Sequence, residues 1–194
     1  GGEAALGDLR RMAFGATEPP DPDAPRLTED RSSCVYDGDR LIAVARTRGF
    51  AQWFGGRAVP CGGLSGVMIA TDHRGAGLGK AVVSDALERM RDRGEVISSL
   101  YPTTASLYRS LGYEIAGTYR RHRIPIDELP GADGSVTWEP TTWDAVDVRA
   151  TVNRAGADHD GWLVRPELEW QFAEHQRRKD SLTGDVFVGH VVEL

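Results

Sequence analysis

Apolar residues recur at helical spacing in two stretches of the first hundred positions. In residues 4–14, Leu6, Leu9 and Ala13 share a face and Gly15 follows as a stop; in residues 78–93, Val83, Ala86, Leu87 and Met90 repeat at i, i+3, i+4 and i+7 before Gly94. Between these helices the pattern is β-prone. Residues 33–36 and 41–46 flank Asp37-Gly38, a hairpin signal, and Gly55-Gly56 separates residues 49–54 from 57–61. Residues 64–70 read as a further strand, so the pattern predicts an antiparallel meander ahead of the second helix. Residues 96–101 form a strand reached through that helix, and so run parallel to strand 64–70. A short helix over 105–111 stops at Gly112, and residues 113–126 return as strand.

Beyond residue 130 the texture changes to Gly131-Ala132-Asp133-Gly134-Ser135, a linker composition. A boundary there divides the chain into 1–130 and 131–194. The second part reads as helix 142–154, helix 166–179 with Leu168, Phe172 and Ala173 on one face, and strand 185–192, too little for an independent core. The fold class is α/β of the α+β kind: a mixed, mainly antiparallel sheet flanked by helices, its ligand end where strand passes into glycine loop and helix.

Composition narrows the function classes. The 194 residues are 40% hydrophobic and 27% charged, ordinary globular usage. A net charge of -6 offers no basic field to nucleic acid or an anionic membrane and suits a cationic substrate better. Cys34 and Cys61 have neither disulfide-scaffold nor zinc spacing and are expected to stay reduced. No apolar run approaches the ~20 residues of a membrane span and no signal-peptide pattern opens the sequence, so a cytoplasmic protein is expected.

The chemistry concentrates at Arg74-Gly75-Ala76-Gly77-Leu78-Gly79-Lys80, between a strand and an amphipathic helix. The unpaired N–H groups of a helix N-terminus bind phosphate. Glycines remove the Cβ atoms that would keep a diphosphate from the backbone, and Arg74 or Lys80 adds positive potential. A plain structural turn and a dinucleotide-binding turn are the competing readings. Against the latter, the preceding strands form a meander without an initial βαβ unit, and no acidic residue ends the next strand to hold a ribose.

The run from Val67 through Gly79 resembles motif A of the GNAT superfamily, Arg/Gln-x-x-Gly-x-Gly/Ala after a strand, with Arg74, Gly77 and Gly79 in place. Ala105-Ser106-Leu107-Tyr108-Arg109-Ser110-Leu111-Gly112-Tyr113-Glu114 is similar to motif B, a tyrosine-bearing helix running into Gly-Phe/Tyr-Glu. Ala13-Phe14-Gly15, Gly63-Leu64-Ser65 and the Leu107–Tyr113 run look like the Eis-like branch. The resemblance covers residues 4–130, and Arg165 followed by Glu169-Trp170 is faintly similar to the start of that branch's second GNAT-like domain. It implies a partial chain, lacking the family's first strand and its later domains. Motif A departs from the branch in having Arg74-Gly75-Ala76 where a run of arginines is usual.

What the resemblance implies is an N-acetyltransferase with acetyl-coenzyme A as cosubstrate, a small-molecule primary amine as acceptor (aminoglycoside-like or a polyamine), no metal, and a homo-oligomeric state. The pantetheine would pair with the main chain at Val67, Met68 and Ile69, and the diphosphate would sit on Arg74, Gly75, Ala76, Gly77, Leu78, Gly79 and Lys80. Thr103 and Thr104 would contact the cosubstrate. Tyr108 would be the general acid, since a phenol of pKa ~10 is matched to a leaving thiolate; a core tyrosine is the alternative. The amine attacks directly, so neither cysteine is required. Strand 64–70 holds no carboxylate to act as base; Asp72 and His73 are candidates by proximity, a solvated or capping pair being the alternative. A non-catalytic acyl-coenzyme A-binding module and a nucleotide-dependent oxidoreductase are the rival functions.

Overall fold

The computed structural model describes residues 2–15, 21–118 and 146–182. Helix α1 (Gly2–Phe14) is followed by strands β1 (Ser32–Asp37), β2 (Arg40–Phe54) and β3 (Arg57–Ile69), helix α2 (Leu78–Asp92), strand β4 (Ile97–Ser99) and the short helix α3 (Ala105–Arg109). Helix α4 (Val146–Ala157), strand β5 (Leu163–Val164) and helix α5 (Glu167–Leu182) follow. The sheet runs β1-β2-β3-β4, and β5 pairs with β2. Antiparallel pairing joins β1, β2 and β3, whereas β4 is parallel to β3, as expected for a strand reached through a helix.

Side-chain alternation along β2 builds both layers of the core. Ala43 and Ala45 point to the face where Val82, Val83, Ala86 and Met90 of α2 pack with Leu64. Ile42 and Val44 point to the other face, against Leu9 of α1, Met68 and Ala70. The small alanines let α2 lie close to the sheet. Full burial of a side chain such as Leu9 or Val83 contributes about 1.5–3 kcal/mol, so each helix is held by its apolar stripe more than by its own propensity.

Two of the predicted strand pairs merge. Residues 41–46 and 49–54 form one strand, because Thr47-Arg48-Gly49 continues the ladder against Leu64, Gly63 and Gly62. Residues 57–61 and 64–70 also run on as one strand, with a bulge: Ser65 faces Arg46 and Met68 faces Val44, which leaves Gly66 and Val67 both opposite Ala45. Gly66 has φ +55, the left-handed value such a bulge demands of its first residue. The first hairpin turns on Gly38-Asp39, one residue later than Asp37-Gly38, since Asp37 pairs with Arg40. Residues 113–118 form no strand, and the rest of the expected strand, 119–126, lies outside the described residues, as do the linker at 131–135 and the strand expected at 185–192.

The pair Leu163-Val164 adds to β2 at Gln52 and Ala51, an attachment with no periodic signal in the sequence. Around it, Trp162 accepts from the Trp53 N–H, Gly161 donates to Trp53, and Arg48 makes two bonds of 2.7 and 2.6 Å to Glu169. Arg48 also lies over the Phe172 ring at 4.1 Å, and Trp170 is buried beside them.

Strands β3 and β4 pair only over Cys61–Ile97, Gly62–Ser98 and Gly63–Ser99, and then part. At the point of parting, a Cβ on Gly63 would come within 2.3 Å of the Phe50 ring. Gly63→Ala is therefore expected to cost about 1–3 kcal/mol, the usual range for overpacking, and to lower the melting temperature by several degrees. An unchanged melting temperature would show that Phe50 yields freely.

Candidate functional site

Past Gly63 the edge of β3 facing β4 has no strand against it among the described residues, so residues 64–69 offer main-chain groups there. Val67 and Ile69 pack toward α2, whereas Met68 is buried against α1. The three positions singled out from motif A thus share this open edge through their backbone, while their side chains anchor the strand from both faces.

The glycine-rich turn follows directly. Gly77 caps α2 in the left-handed conformation (φ +78), and no side chain bonds to the first turn. Among the described residues the N–H groups of Leu78, Gly79 and Lys80 meet no acceptor, as the end of a helix requires unless a cap or ligand intervenes. A Cβ built on Gly75 or Gly77 would touch no protein atom within 4 Å, and Gly75, Ala76 and Gly77 are all exposed. The space over the turn is open, electropositive and shaped by backbone, which is what a diphosphate needs.

The flanking cations differ. Arg74 donates to the Ala13 carbonyl at 3.3 Å, at the C-terminal end of α1, whereas Lys80 is exposed and makes no ion pair with any described residue. Ahead of the turn, Asp72 accepts two bonds from Arg40, at 2.6 and 3.0 Å. The bonds from Arg40, with the His73 ring alongside, hold the Asp72 carboxyl well below the usual carboxylate range, which makes it a weak base. His73 lies 3.1 Å from Asp72 and 3.6 Å from Asp37. The pair staples the turn to the first hairpin.

Helix α3 closes the site from the side of β4. Leu107 lies over Gly79, 3.4 Å from where a Cβ would be, which sets α3 on the first turn of α2. Tyr108 is half-buried against the α2 face of the core, next to Val67, Ile69 and Leu78 in the same cluster. Its hydroxyl has no hydrogen-bond partner among the described residues, and burial pushes the phenol up from its ordinary value of 10.0. Thr104 caps α3 without a side-chain bond, and Thr103 precedes it; both are exposed.

Val67 and Ile69 of the strand, Leu78 at the start of α2 and Tyr108 of α3 pack on one core cluster, so the two motifs adjoin in the fold. Ser98, which carried no motif and no periodic signal, also reaches this region, through Tyr113. Among the described residues no group of three or more His, Cys, Asp or Glu is arranged to hold a metal ion, and no helix is long and apolar enough to cross a membrane.

Comparison with known proteins fits this geometry. Residues 4–116 match the acetyltransferase (GNAT) domain family. An uncharacterized N-acetyltransferase of Streptomyces avermitilis is 33% identical over 115 residues, which are 55% of this chain and 28% of that protein. N-acetyltransferase Eis of Mycobacterium tuberculosis is 28% identical over 123 residues, 58% of this chain and 30% of that protein. A solved GCN5-related N-acetyltransferase from Anabaena variabilis superposes with a TM-score of 0.74 at 25% identity, over 87% of this chain and 44% of that one. The matched segments are less than a third of the length of those two curated relatives. With a family match over more than half its length and both motifs packed on one core cluster, the chain belongs to the GNAT family of acetyltransferases.

Proposed function

We propose that the protein transfers acetyl from acetyl-coenzyme A to a primary amine of a small molecule, by direct attack within a ternary complex. The observation that carries this reading is that α2 begins without a side-chain cap, that β3 past Gly63 has no strand on its β4 side among the described residues, and that Tyr108 packs on the same core cluster as Val67, Ile69 and Leu78. The diphosphate sits on the N–H groups of residues 75–80, with Lys80, which has no ion pair among the described residues, as its cation and Arg74 shared with α1. The pantetheine lies in the opening between β3 and β4 as an added strand along Val67, Met68 and Ile69, with Thr103 and Thr104 at its rim.

The chemistry then needs no covalent enzyme intermediate. The amine nitrogen attacks the thioester carbonyl, forming the C–N bond and placing negative charge on the carbonyl oxygen. A β3 main-chain N–H stabilises that charge, a contribution of roughly 3–4 kcal/mol for comparable donors. Collapse of the tetrahedral intermediate breaks the C–S bond, the thiolate takes the Tyr108 proton, and the nitrogen releases its own proton to solvent or to a base. Asp72, held by Arg40, is not that base. Acceptors of the aminoglycoside or polyamine class suit the net charge of -6. Division at residue 130 into the acetyltransferase unit and the opening of a second GNAT-like unit, homo-oligomeric assembly and a cytoplasmic setting complete the proposal.

Thiol release from acetyl-coenzyme A across a panel of primary amines, with the melting temperature measured alongside, tests the reading. Acetyl-coenzyme A at 100 times its Kd should stabilise the fold by about 2.7 kcal/mol, and at least one amine should release thiol. Stabilisation without thiol release would favour an acyl-coenzyme A-binding module; stabilisation by a nicotinamide cofactor instead would favour the oxidoreductase.

A further inference from the structure

Two tyrosines stand side by side at the α3 turn, and of the pair only Tyr113 has a hydroxyl with a hydrogen-bond partner among the described residues. The Tyr108 and Tyr113 rings meet edge to face, centroids 5.9 Å apart at 74°. The Tyr108 carbonyl accepts from Leu111 at 2.9 Å and from Tyr113 at 3.1 Å, so the turn after α3 folds Tyr113 back onto Tyr108. The Tyr113 hydroxyl is 2.6 Å from Ser98 Oγ, and Ser98 Oγ donates to the Gly62 carbonyl at 2.9 Å. A serine hydroxyl has one proton, and here Gly62 receives it. The Tyr113 O–H must therefore be the donor to Ser98, and its proton is committed. Gly62 and Ser98 themselves pair across β3 and β4, one register before Gly63–Ser99, where the pairing ends.

We propose that Tyr113, tied through Ser98 to the paired stretch of β3 and β4, is a positioning residue that fixes the ring of Tyr108 against the core cluster on which Val67 and Ile69 also pack. The chain of contacts runs from the β3–β4 strand pair to the Tyr108 ring. Without the Tyr113 hydroxyl the Tyr108 ring keeps its core packing and the edge-to-face contact but loses the anchor to Ser98, and a misplacement near 1 Å at a reacting group costs up to about a hundredfold in rate. This inference rests on the reading of Tyr108 as general acid.

The test is a double-mutant cycle in the intact chain, read as kcat and KM for acetyl-coenzyme A in thiol release to a primary amine, with melting temperatures for each variant. Tyr113→Phe keeps the ring and removes only the hydroxyl; it should lower kcat roughly tenfold and leave KM unchanged. Ser98→Ala should do the same, and Ser98→Thr should recover most of that loss. In the Tyr108→Phe background, Tyr113→Phe should cost nothing further. An equal fractional loss in both backgrounds would mean that Tyr113 acts elsewhere, and undiminished kcat in Tyr113→Phe would also overturn the inference while leaving the acid intact. If Tyr108→Phe alone left kcat unchanged, the acid assignment would fall and the positioning role with it. Should Tyr113→Phe melt below the assay temperature, the Ser98 pair carries the same test.

Discussion

Replacing Tyr108 by phenylalanine is expected to lower kcat for acetyl transfer by about 10²-fold or more while leaving the KM for acetyl-coenzyme A within about twofold. The ring stays in the core with Val67, Ile69 and Leu78, so packing and cosubstrate binding survive, and only the proton for the departing thiolate is lost. The pH profile separates this from a structural effect. Burial raises the Tyr108 pKa above 10.0, so the phenol stays protonated through the ordinary phenol range and turnover loses its acid only at higher pH. The same shift makes the group's contribution to stability complete below its ordinary pKa and lost as pH rises through the raised one. The alkaline fall in kcat should vanish in Tyr108→Phe. A variant that turns over at the parent rate would remove Tyr108 from the mechanism.

Gly77→Val is expected to raise the Kd for acetyl-coenzyme A by roughly ten- to a hundredfold, measured by titration calorimetry. Valine at φ +78 is strained by about 1–3 kcal/mol, so the turn either keeps its shape at that cost or relaxes and withdraws its N–H groups from the ligand. An added Cβ meets no protein atom, so the free protein has no clash to report and its melting temperature should fall only modestly. The loss is thus placed on the ligand side. An unchanged Kd, with the melting temperature lowered by the strain alone, would leave the turn a structural element and move the diphosphate elsewhere.

How far the sequence carried these assignments depends on the range of the interactions involved. Helix α2, the parallel placement of β4 and the turn between them were legible because each is set by local signals: apolar spacing, Gly77 before the helix and Gly94 after it. Continuity of β2 through Thr47-Arg48-Gly49 was not, because that stretch is polar and glycine-broken locally, and what holds it is distant: Arg31 lies against Gly49, and Glu169 pairs with Arg48. The bulge at Gly66 was hidden for the same reason, being a mismatch between two strands. For the candidate site, motif order singled out Tyr108 and the turn. The contacts of Ser98 were not legible, since they exist only through Tyr113 and Gly62.

The docking of β5 also bears on how the chain is made. Gln52 waits for Gly161, a partner 109 residues further along, and Arg48 waits for Glu169, 121 residues away. At a synthesis rate of about 5–20 residues per second, the far half of β2 emerges roughly 5–20 s before the segment that covers its edge. For that interval the β2–β3 hairpin tip presents bare strand edge and the Trp53 side chain to whatever is nearby, the kind of surface on which nascent chains associate wrongly. Long-range closure of this sort is slow in any order of folding. Ribosome-bound chains halted before residue 160 should accordingly be more aggregation-prone than chains halted after α5 has emerged.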